Sequence, residues 1–76
     1  MEVTYVTFGQ AHKHTINGKR MDKDTVAKVT HSSHENGADV AYRLFKNKYS
    51  QEFSQSAWSD DMLRHFPKGL VDITAL

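Results

Sequence analysis

Apolar and polar positions first alternate along this chain, then recur at helical spacing, then alternate again. From Val3 to Phe8 the residues are β-branched or aromatic, with Val6 and Phe8 on one side of an extended strand and Val3, Tyr5 and Thr7 on the other. Both sides are partly apolar, as in a central strand. Asn17-Gly18 is the strongest hairpin signal, because both central positions of a type I′ turn need positive φ. A two-residue turn there returns the chain through Asp24-Thr25-Val26-Ala27-Lys28-Val29. It sets Phe8 opposite Ala27 and Val6 opposite Val29, four apolar side chains on one face. In that register His31 lies opposite Thr4, and residues 10–25 form a polar tip that extends past the core.

Between Ser32 and Tyr49 the period changes. Ala38, Ala41, Phe45 and Tyr49 recur at helical intervals beside Val40 and Leu44, and Ser32 with Glu35 has the spacing of a capping box. Glu35 and Asp39 fall early in this amphipathic helix and Arg43, Lys46 and Lys48 late, which suits the helix dipole. Glu52 to Trp58 alternates loosely and reads as a short strand or extended connector. Ser59 before Asp60 and Asp61 starts a second helix, with Met62, Leu63 and Phe66 as its buried side and Pro67 as its stop. Leu70 to Thr74 reads as a last strand. The expected fold is α+β: one domain over residues 1–76, a β-hairpin followed by an amphipathic helix and further short strands. The order is β-β-α-β-(α)-β, with the helix packed on one sheet face.

Composition narrows the function more by exclusion than by signal. At 76 residues a chain buries only about 60% of its unfolded surface, which leaves little room for an enclosed active site. It has 38% hydrophobic and 25% charged residues, as in ordinary globular domains. No apolar run approaches the roughly 20 residues of a membrane span, and the first residues do not open a signal peptide, so we expect a cytosolic protein. The absence of cysteine removes disulfides and thiol chemistry. The formal charge of +1 is uneven: residues 1–50 carry eight Lys/Arg against five Asp/Glu, and residues 51–76 carry two against four.

One set of short motifs runs through most of the chain: Thr7-Phe8-Gly9-Gln10, His12-x-His14, Asn17-Gly18-Lys19, Asp22-Lys23-Asp24-x-Val26-Ala27 and Phe66-Pro67-x-Gly69. In these the chain resembles a group of small uncharacterised proteins encoded by tailed bacteriophages. The resemblance implies a phage gene product made in the cytoplasm of a bacterial host and acting on a host component. It brings no activity, cofactor or functional residue with it.

Five histidines raise the question of a metal. On a strand His12 and His14 point to one side and, with Asp22 or Asp24, form a minor candidate site; His31, which with His34 makes a second pair, lies about 26 Å from His12 by strand rise, so one four-histidine site is not expected. No nucleophile elbow, HExxH motif or phosphate loop is present, so we expect no enzyme and no cofactor. The first functional expectation is therefore a non-enzymatic binding protein that covers a surface of a host or phage protein and alters its activity. Its candidate contact residues are His12, His14, Lys19, Arg20 and Lys23 on the hairpin, with Trp58, Asp60 and Asp61 as a second surface. The alternative is a nucleic-acid-binding module in which the hairpin, with Lys13, Lys19, Arg20, Lys23 and Lys28, enters a groove as a two-stranded ribbon. The bland reading of the hairpin is a solvated tip, and of Trp58 a core residue. An uncovered edge strand leaves both monomer and dimer open.

Overall fold

The computed structural model describes residues 1–75. In chain order they form β1 (Glu2–Thr7), β2 (His14–Ile16), β3 (Lys19–Met21), β4 (Thr25–His31), α1 (Gly37–Phe45), β5 (Gln51–Ser54), a 3₁₀ helix (Asp60–His65) and β6 (Gly69–Thr74). Four strands make one sheet in the order β5-β1-β4-β6, and β2 and β3 pair separately. The fold is α+β with the helix on one sheet face, as the hydrophobic pattern predicts.

β1 and β4 take the centre because they carry the β-branched residues. Their antiparallel register sets Val6 opposite Ala27, Thr4 opposite Val29 and Glu2 opposite His31. This corrects the sequence-based register by two residues. The Asn17-Gly18 turn forms with both residues at positive φ (53° and 77°), but it joins only β2 and β3, pairing His14 with Met21. The chain leaves the main sheet between Phe8 and His14, where His12 N–H bonds to the Gly9 carbonyl. It leaves again after Met21, where the Asp22 side chain accepts the Asp24 N–H. Those two turns uncouple the small hairpin from the large one. A shift of two residues keeps every side chain on its face, so the same apolar set is buried.

On that face Val6, Phe8, Ala27, Val29, Val40, Ala41, Phe45 and Ile73 form the core together with Met21 from the small hairpin. The hairpin is thus folded back over the sheet and does not project, as its tip was expected to. Met21 is fully buried, Ile16 packs against the core, and the His14 ring meets Phe45 edge-on at 5.3 Å. The reason is legible in the side chains: Ile16 and Met21 are apolar positions in an otherwise polar segment, and the full burial of Met21 contributes about 1.5–3 kcal/mol, with a smaller share from the partly buried Ile16. Lys19 completes the arrangement by donating to the Asp72 carbonyl of edge strand β6 at 2.7 Å.

α1 starts four residues later than the Ser32 cap predicts. Asn36 is the cap, accepting the Ala38 N–H at 2.8 Å, while Ser32 and Glu35 close a separate turn. Gly37 explains the choice. A Cβ there would lie 2.3 Å from the Thr4 hydroxyl, so only glycine lets the helix start rest directly on β1. The Thr4 hydroxyl is also 2.8 Å from Nε2 of the buried His31, whose Nδ1 faces the Ser32 carbonyl at 3.0 Å. Because that carbonyl can only accept, Nδ1 is the donor in this contact. The helix ends at Phe45, with Lys46 at φ 58°, so Tyr49 lies beyond it and packs on the core from the following loop.

β6 runs parallel to β4, and the connection between them wraps the sheet. α1 crosses one face, β5 pairs at the far edge beside β1, and the Trp58 segment returns beneath the other face. There Trp58 stacks on Tyr5, with centroids 4.7 Å apart and planes 10° from parallel, and Phe53 packs against it at 5.6 Å. The second helix is a 3₁₀ helix capped by Ser59. Among the described residues no helix is long and apolar enough to cross a membrane.

Candidate functional site

The direction of each element decides which loops meet. β1 ends where β4, β5 and β6 begin, and α1 ends there too: Phe8 meets Phe45 edge-on at 5.1 Å. Ser50 N–H bonds to Thr7, and Lys68 N–H bonds to Asp24. Four loops, residues 8–13, 22–24, 46–50 and 66–68, therefore share one end of the molecule. They bring together Lys13, Lys23, Lys46, Lys48 and Lys68, with Arg20 beside them at the base of β3. Asp22 and Asp24 are the carboxylates among these loops.

Two of the cations are already matched. Lys68 Nζ lies 2.8 Å from Asp22, and Lys23 Nζ lies 3.1 Å from Asp24. The Lys68 contact, followed by the Asp24 N–H, holds the Asp22 carboxyl below its usual pKa, with a smaller contribution from the Arg20 charge. Lys13, Arg20, Lys46 and Lys48 form no ion pair among the described residues. An open depression of about 400 Å³ lies between Gln10, Lys13, Arg20, Asp22, Lys23 and Asp24. Such an end can hold anionic groups by charge, with Asp22 neutralised by its lysine.

The expected contact residues divide unevenly. Arg20 and Lys23 belong to this end. Lys19 lies farther down the hairpin and is engaged with β6. His12 is half-buried, its Nδ1 accepting the Gly9 N–H at 3.1 Å, and His14 packs on Phe45. These two rings therefore do not present a shared chelating edge, and among the described residues no cluster of three or more His, Asp or Glu could hold a metal ion. Trp58 is on the face opposite α1, with its Nε1–H buried and unpartnered, and Asp60 and Asp61 follow in the first turn of the 3₁₀ helix, exposed. The structure does not bring this second surface together with the hairpin. Lys28 is on β4 between Tyr5 and Asp72, away from the small hairpin.

Lys46, Lys48 and Lys68 were missed because nothing local marks them; they join the site through strand and helix direction. Late-helix lysines and loop positions were visible, but the shared end was not. A second cleft, of about 520 Å³, lies at the opposite end between Glu2, Thr4, Asn36, Gly37, Glu52 and Ser54. Its Asn36 side chain is committed to capping α1 and its Thr4 hydroxyl to His31. The cation-rich end, whose unpaired side chains are uncommitted, is the stronger candidate. No family model, curated protein or solved structure matches the chain.

Proposed function

We propose that this protein works by surface contact and carries out no reaction, seating its cation-rich end on an acidic surface of a macromolecular partner. The observation behind this reading is the convergence of Lys13, Arg20, Lys46 and Lys48, from separate parts of the chain, at one end without carboxylate partners. The contrast with the other end, where Glu2 and Asp39 lie near the start of α1 beside a Glu35 that is matched by Arg43, gives the molecule a charge axis that orients it during approach. The resemblance to small tailed-phage proteins supports a partner from the bacterial host or the phage, met in the bacterial cytoplasm and altered in activity by being covered.

The test is affinity capture of the tagged protein from bacterial lysate, quantified beside two variants. Lys13→Glu with Arg20→Glu is expected to lose a stoichiometric partner that the unaltered protein retains. Trp58→Ala with Asp60→Ala and Asp61→Ala is expected to keep it. The reverse pattern would move the contact to the Trp58 surface and overturn the proposal.

A further inference from the structure

We infer that the cation-rich end grips the phosphate backbone of a nucleic acid and does not read its bases. This rests on the proposed function and names the chemistry of the partner. A protein partner would be met by a surface with an apolar or aromatic centre, since interface cores are depleted in lysine and anchored by aromatic residues. Lysines and an arginine, not fully exposed aromatic rings, dominate this end. Of its large apolar side chains, Phe8, Met21 and Phe45 are buried beneath the loops, and Tyr49 and Phe66 are half-buried within them. Of the large hydrophobics that are exposed, Met1 lies at the opposite end and Tyr42 on the outer side of α1, and only Leu70, at the start of β6, borders this end.

What the end offers is three lysines and an arginine on or beside loops. That is the equipment for phosphate, which needs charge and tolerates variable spacing. Base recognition lacks its usual means. The β2–β3 ribbon cannot enter a groove, because Ile16 and Met21 pack it against the core. Tyr5 and Trp58 are stacked on one another on a different face and offer no platform for bases at this end. Asp22 would repel phosphate if it stood alone, but Lys68 neutralises it. Lys13, Arg20, Lys46 and Lys48 therefore set the number of contacts at about four.

The experiment is fluorescence anisotropy with a labelled single strand and a duplex, each of about 20 nucleotides per strand, between about 50 and 200 mM sodium chloride. Four contacts predict an affinity loss of roughly 50- to 150-fold across that range, little changed by base sequence. Lys46→Gln with Lys48→Gln, checked for folding by circular dichroism, should reduce the slope of log affinity against log salt by about half. Poly-L-glutamate serves as the protein-like polyanion. No binding of either oligonucleotide at the lowest salt, or affinity indifferent to salt, overturns the phosphate inference. If poly-L-glutamate then binds and the Lys46/Lys48 variant does not, the acidic-surface reading survives the loss. If the double variant binds every probe as tightly as the unaltered protein, both readings fall.

Discussion

Asp22 ties together two loops that are far apart in sequence. Its Oδ1 accepts the Asp24 N–H at 2.9 Å, which shapes the turn into β4, and its Oδ2 receives Lys68 at 2.8 Å. Both contacts favour the ionised carboxylate, so its folded pKa lies below the ordinary 3.8. The sign follows from linkage: the contribution to stability is present above the unfolded pKa and is lost as pH falls through the lower folded value. Lys68→Met removes the larger cause. Urea midpoints measured at about pH 7 and again between about pH 4 and 2 should fall more steeply with acid for the unaltered protein than for this variant. Equal falls would show that the Asp22–Lys68 contact does not matter to acid stability. The sequence reading carried the hairpin through Asp22-Lys23-Asp24 as part of its polar tip, so the turn there was not legible; nor was the Lys68 partner, because only the parallel placement of β6 beside β4 brings it near.

At the scale of elements, the small hairpin shows how a correct local signal can sit in an incorrect larger picture. Asn17-Gly18 forms the expected turn with the expected geometry. Extending its register into β1 and β4 fails, because turns at Gly9–His12 and Asp22–Asp24 break the ladder on both sides. The consequence is measurable at Met21. On a projecting tip Met21→Ala would be nearly neutral; with the side chain fully buried among Phe8, Val29 and Phe45, it should cost about 2–5 kcal/mol in urea unfolding. A change below about 0.5 kcal/mol would mean that the hairpin is not part of the core. The helix boundary teaches a related lesson. Ser32 and Glu35 have capping-box spacing, yet Asn36 caps the helix, because Gly37 is the residue that can lie against Thr4.

For the whole molecule, one sheet carries both layers: α1 and the small hairpin on one face, the Trp58 segment on the other. Trp58 stacks on Tyr5, whose neighbour Val6 is in the α1 core, so the two faces share the same strand. They are expected to unfold together. Tryptophan fluorescence, which reports the Trp58 face, and far-ultraviolet circular dichroism, which reports the helix and strands, should give coincident urea transitions. An earlier fluorescence midpoint would show that the Trp58 segment opens independently. The same wrapping of the sheet makes the charge axis, since it sends four loops to one end and the start of α1 to the other.

The sequence by itself determined the local features: the apolar faces of β1 and β4, the positive-φ turn at Asn17-Gly18, the amphipathic character of α1, the Ser59 cap and the α+β class. Each depends on residues within a few positions of one another, where backbone sterics and side-chain periodicity act directly. The tertiary structure decided what depends on distant pairing: the β1–β4 register, the folding back of the small hairpin, the parallel return of β6 and the gathering of cations at one end. A two-residue shift of register leaves the alternation of side chains unchanged, so hydrophobic pattern cannot detect it. Lys13, Arg20, Lys46 and Lys48 likewise carry no common local pattern. They share one end of the molecule only because β1 and α1 end on the same side of the sheet.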